Sequence, residues 1–137
     1  MTKYSWSKYN DLNSKHIRGG ENAIINLSNE LSKLGNEIVV YNDCKDCCVI
    51  NDVKWFNINQ ANKSVYYDLA FTNNDISLFN KINAKKYIAF SHSIQSIEKF
   101  IRKGQLFSYL KYKPKIVLLG KYHKENRNYL LKLFGTI

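Results

Sequence analysis

The sequence predicts an α/β protein, a parallel sheet with helices on both faces, and three observations carry that expectation. Short β-branched and aromatic runs recur along the chain, at "EIVVY" (37–41), "KYIAF" (86–90) and "KIVLL" (115–119). Between such runs lie stretches whose apolar residues follow helical spacing, most clearly 21–34. Gly35 then stands at the end of that helical stretch, where a helix commonly stops. Strands that alternate with helices build βαβ units, with parallel strands and right-handed crossovers.

The elements follow in order. Residues 2–6, "TKYSW", read as a short strand poor in aliphatics, and Ser7–Gly20 as a long polar loop. Ala23, Ile24, Leu27, Leu31 and Leu34 form one stripe on a helix over 21–34. The run 37–41 has the character of a strand buried on both faces. "VKWFNI" (53–58) and "YYDLAFT" (66–72) are further strands, and Asn74 or Asp75 is placed to cap a short helix over 76–83. After the strand at 86–90 a helix is expected over 94–103. Ile94, Ile97 and Ile101 share one face of it, and Lys99, Arg102 and Lys103 surround them. A strand at 115–119 and a closing helix over 122–135 complete the chain. There are no internal repeats and no low-complexity linker.

A chain of 137 residues with 45% apolar content is expected to form one folded domain. No run of 18 apolar residues is present, and "MTKYSWSKYN" lacks the apolar segment of a signal peptide. A cytoplasmic location is therefore expected. The net charge of +10 is unevenly spread. Residues 1–80 carry 8 Lys and Arg against 9 Asp and Glu, whereas residues 81–137 carry 13 against 2. That asymmetry points to an anionic partner for the C-terminal half, such as a membrane surface, a phosphorylated substrate or RNA. Only Arg18, Arg102 and Arg127 are arginine, and no RNP-like aromatic motif occurs, so specific nucleic-acid recognition is not expected. Cys44, Cys47 and Cys48 lack the second ligand pair of a zinc site and are expected to be reduced thiols in a loop.

Ligands of open parallel sheets bind beyond the carboxyl ends of the strands. This selects Ser7–Gly20, Asn42–Asn51, Asn73–Asn74, Ser91–Ser93 and Gly120–His123. The pair Gly19–Gly20 closes the first of these loops, and its backbone freedom before a helix suits a loop shaped to receive an anionic group. No P-loop signature and no Ser/His/Asp order occurs.

The segment "RGGENAIINLSNELSKLGNEIVVYN" resembles the opening of GT-B glycosyltransferases of the broad family-4 type. "YYDLAFTNN", "KKYIAFSHS" and "KPKIVLLGKYHKENRNYLLKLFG" fit the same template in the same order. The resemblance implies a Rossmann-like acceptor-side domain, the N-terminal half of such an enzyme. It further implies transfer of a sugar from a nucleotide-sugar donor to a glycan or lipid-linked acceptor, with no cofactor and no catalytic metal. By the same resemblance His92 contacts the transferred sugar, and Gly19, Gly20 and Lys121 lie on the donor side. His16, Arg18 and Glu21 border the acceptor. The family's paired-glutamate motif and C-terminal nucleotide-sugar domain have no counterpart in these residues, so no turnover is expected of them alone. The alternative is a non-catalytic module that binds acceptor or membrane. Residues 94–115 are basic and amphipathic, which suits an anionic membrane surface and a peripheral position at its inner face.

Overall fold

The helix expected over 21–34 is α1 (Gly19–Lys33), but its buried face is corrected: Ile24, Ile25 and Ser28 are buried, Leu27 and Leu31 are half-buried, and Ala23 and Leu34 are exposed. Gly35 follows in the left-handed region at φ 84°, and Asn36 donates from its backbone N and from Nδ2 to the carbonyl of Leu31. These bonds satisfy a carbonyl the helix leaves open at its end. The computed structural model describes residues 19–44, 47–91, 97–118 and 120–126. The strand expected at 2–6, residues 7–18 of the loop expected over Ser7–Gly20, and residues 127–135 of the expected closing helix lie outside them. The chain divides into two compact units between Ala61 and Asn62.

In the first unit, β1 (Ile38–Asn42) and β3 (Val53–Asn57) pair in parallel with Val40 opposite Trp55. A third strand, β2 (Cys48–Ile50), runs antiparallel along the outer side of β3. Ile25 of α1 packs with Val40, Val53 and Trp55 to form the core of this unit. The expectation of a purely parallel sheet is corrected here, because β2 and β3 make a hairpin. Its two-residue turn, Asn51–Asp52, has both residues at positive φ (52° and 60°). That geometry matches the twist of a hairpin and is tolerated best by Asn, Asp and Gly. The stretch Asn42–Asn51 is thus not one loop, since it contains β2. β1 is fully buried only in its second half, from Val40 to Asn42.

The second unit holds the all-parallel sheet β4 (Tyr66–Asn73), β5 (Asn83–Ser91) and β6 (Lys115–Leu118), in that order. Ala70 lies opposite Tyr87, and Ala89 opposite Ile116. A 3₁₀ helix (Ile76–Lys81) joins β4 to β5, tighter and shorter than the helix expected over 76–83. Two short helices, α2 (Ile97–Arg102) and α3 (Leu106–Tyr112), lie between β5 and β6. α4 (Lys121–Glu125) follows β6.

Aromatic side chains fill the core of this unit. Phe79 meets Tyr87 edge-on at 4.8 Å, Tyr87 meets Tyr112 at 4.9 Å, and Phe100 meets Tyr109 at 4.7 Å. Phe79 and Tyr109 are wholly buried. Helix α3 was not expected. Its segment "LFSYLKY" buries Ser108 and Tyr109 and packs Tyr112 on Phe79 and Tyr87, while Phe107 and Leu110 are exposed. The apolar face expected over 94–103 is also corrected, because Phe100 is buried against Tyr109 while Ile101 is exposed. Together the units make the molecule mixed α/β, with one mixed and one parallel sheet.

Candidate functional site

The parallel strands of the second unit end on a polar rim. Asn74, directly after β4, takes a left-handed conformation at φ 61°, and its N–H donates to Phe90 O at 3.0 Å. Asparagine reaches that region more readily than most residues. The turn is then fixed by Asp75. Its Oδ1 accepts from Ser77 N at 3.1 Å and from Gln105 Nε2 at 2.9 Å, and also from the Ser77 hydroxyl. The Thr72 hydroxyl donates to Asp75 O at 2.8 Å. Asp75 is the N-cap of the 3₁₀ helix, and its bond to Gln105 ties that helix to the start of α3. These bonds make it a structural carboxylate.

Beside this network lies a crevice. Asn74, Ser91, Lys99 and Gln105 supply its polar groups, and Ala89, Phe100 and Ile116 line its apolar side. Its interior is small, about 10 Å³, room for about one water molecule. Partial burial lowers the pKa of the Lys99 ammonium below the ordinary lysine value, and the positive charges of Lys103 and Arg102 lower it further. An anionic group would relieve that repulsion.

The residues expected at a site are distributed as follows. Gly19 and Gly20 form the first turn of α1 and are not part of the loop before it. Gly19 does not have a left-handed φ, and a Cβ there would meet nothing within 4 Å, so neither strain nor crowding among the described residues demands glycine. The conformational freedom expected of Gly19 is not used in this structure. Glu21 completes the same turn and is buried. Lys121 opens α4 in the second unit, exposed, with its Nζ 3.7 Å from Glu125 Oε1. Ser91 closes β5, the central strand of the parallel sheet. His92 follows it in sequence and lies outside the described residues, as do His16 and Arg18.

The strand ends of the first unit are closed by their own side chains. Asn42 Oδ1 accepts from Cys44 N at 3.2 Å, and Asn57 Nδ2 donates to Cys44 O. Gln60 Oε1 accepts from Asn57 N at 3.2 Å and from Cys47 Sγ at 2.9 Å. Cys44 is buried, Cys47 and Cys48 are exposed, and all three are thiols outside any disulfide. Among the described residues no group of three or more His, Cys, Asp or Glu side chains could hold a metal ion.

Lys99 and Gln105 were not singled out as site residues from the sequence. Lys99 was legible there only as one cation on a basic helix, and no sequence signal brings Gln105 to the end of β4. Compared with protein-family models, curated proteins and solved structures, the chain matches none of them. Among the described residues no helix is long and apolar enough to cross a membrane.

Proposed function

We propose that these residues form the acceptor-side, Rossmann-like half of a GT-B sugar transferase, which moves a glycosyl group from a nucleotide sugar to a glycan or lipid-linked acceptor. The observation that carries this reading is the end of the parallel sheet β4-β5-β6. There a polar rim and a partly buried lysine surround a small crevice, on the side where open α/β sheets take ligands. His92 comes next in the chain after the central strand, in the position that the resemblance assigns to the sugar contact. The glycine pair at the start of α1 supports the same reading, since helix N-termini favour phosphate charge. On this proposal the α1 amides stabilise charge as it develops on the leaving group, and His92 orients the transferred sugar. A second domain supplies the nucleotide pocket.

The test reads the coding frame on either side of these residues and assays the complete product. A continuous frame into a second α/β domain with paired glutamates, and label transfer from a nucleotide sugar to a lipid-linked acceptor, would support the proposal. In that enzyme His92→Ala should lower kcat at least about tenfold. Unchanged turnover would remove His92 from the chemistry. Absence of any transfer by the complete product would overturn the reading.

A further inference from the structure

The three cysteines of the chain fall together in the first unit, with the spacing C-x-x-C-C over residues 44–48. The fold ties the first two of them to one corner, where β3 turns into the 3₁₀ helix Ile58–Gln60. Asn57 caps that helix. Its Oδ1 accepts from Asn59 N at 2.9 Å, and Gln60 Oε1 accepts from Asn57 N at 3.2 Å. The same two side chains also hold the cysteines. Asn57 Nδ2 donates to Cys44 O, and the Cys47 thiol donates to Gln60 Oε1 at 2.9 Å. Both ends of the C-x-x-C spacing are thus fastened to one capping box. Their exposure differs: Cys44 is buried, whereas Cys47 and Cys48 are open to solvent. Cys48 opens strand β2 and lies opposite Trp55.

We infer that Cys44 and Cys47 form a thiol–disulfide pair, a redox modification site in which Cys47 attacks and Cys44 resolves. The order follows from exposure, since a small oxidant reaches Cys47 and not the buried Cys44. Cys48 is the poorer partner for Cys47. Neighbouring side chains of an extended segment point to opposite faces, and a Cys47–Cys48 bond would pull Cys48 out of register with Trp55. Nor do the three thiols converge as metal ligands would, among the described residues. The oxidant is a low-molecular-weight disulfide such as glutathione disulfide. The Cys47 thiol gives up its proton and attacks one sulfur of the oxidant, whose S–S bond breaks. One glutathione leaves as a thiolate and takes up a proton. Cys44 then gives up its own proton, attacks the Cys47 sulfur and displaces the second glutathione. Two protein thiols are thereby oxidised to one disulfide, and one glutathione disulfide is reduced to two thiols. A disulfide sulfur has no hydrogen to donate, so Gln60 Oε1 loses its bond from Cys47 at the first step. The capping box at the carboxyl ends of β1 and β3 therefore responds to the state of the thiol. This stands independently of the transferase proposal, because it concerns the first unit and no sugar chemistry.

The experiment equilibrates the full chain in glutathione buffers of rising disulfide fraction, quenches with acid, and locates the remaining thiols by alkylation and peptide mass. A single disulfide within the chain, Cys44–Cys47, is expected, with Cys48 still open to alkylation. Dithiothreitol should restore all three thiols. Cys47→Ser should abolish the disulfide, and Cys48→Ser should leave it unchanged. Both positions are exposed, so these two variants should keep the parent circular dichroism spectrum and decide the matter even if a change at buried Cys44 unfolds the chain. Where Cys44→Ser does fold, oxidation should stop at a glutathione adduct on Cys47. Gln60→Ala should speed capture of glutathione by Cys47 about two- to tenfold, because the thiol no longer has to leave its acceptor. Three thiols intact at every ratio would overturn the inference. So would a Cys47–Cys48 bond, a bond between two chains, or a glutathione adduct that persists on the parent without closing to a disulfide. An unchanged capture rate in Gln60→Ala would overturn the link between the thiol and the cap.

Discussion

Where β1 and β3 end, Asn42, Asn57 and Gln60 fold their amides back onto the backbone and onto Cys47, and the loop closes on itself. Where β4 and β5 end, Asp75 and Gln105 hold the turn, and Asn74, Ser91 and Lys99 line a crevice. Both regions satisfy their buried polar groups, as folded proteins must. The difference lies in what supplies the partners. In the first unit they come from within a few residues of the loop, or from the neighbouring strand. In the second the local partners, Thr72 and Ser77, are joined by Gln105 at the start of a helix 30 residues further on. A site becomes available where a distant element shares the support of a loop.

The largest effects are expected in the two cores. Trp55→Ala in the first unit and Phe79→Ala in the second should each cost about 3–5 kcal/mol by denaturant unfolding. A much smaller loss for Phe79 would mean that its contacts with Tyr87 and Tyr112 pack more loosely than the Trp55 core. The strand-end networks come next and test the comparison directly. Asp75→Ala removes the cap of the 3₁₀ helix and strands a buried Gln105 amide, so a loss of about 2–3 kcal/mol is expected. Asn57→Ala, in a more exposed capping box, should cost about 1 kcal/mol. Equal losses would erase the distinction between a loop held by a distant element and one that closes on itself.

The smallest effect is the pH dependence at Lys99. Its folded pKa lies below the ordinary value of 10.5, so between the two values the unfolded chain binds more protons and stability rises with pH. The cost of burying the charge is therefore present in full at neutral pH and is relieved as pH rises through the folded pKa. Lys99→Met should be at least as stable as the parent at neutral pH, and its advantage should shrink as pH approaches 10.5. A pH-independent difference between the two proteins would show that Lys99 is not desolvated by the crevice.

The elements themselves were largely legible. The spacing of Ala23, Ile24, Leu27, Leu31 and Leu34 predicted α1, though Ala23 and Leu34 are exposed, Gly35 predicted its end, and the Val- and Ile-rich runs located β1, β3, β5 and β6 to within a few residues. The hairpin strand β2 was missed because "CVI" is short and follows a run of cysteines. The signal that could have found it is Asn51–Asp52, a pair suited to two successive positive φ values. Helix α3 was missed because its apolar residues lie on both sides, Tyr109 and Tyr112 inward and Phe107 and Leu110 outward, so no single stripe marks it.

Residue order by itself determined the α/β class, the caps and stops of its elements and the concentration of positive charge in the second half. These depend on side-chain pattern, backbone preference and composition, all of which are local. Only the tertiary structure decided that the strands divide between a mixed and a parallel sheet, and that Gln105 returns to Asp75 across 30 residues. It alone decided that Phe100 turns inward while Phe107 faces out. Those outcomes depend on which surfaces find each other once the chain is compact, and no spacing along the sequence records that.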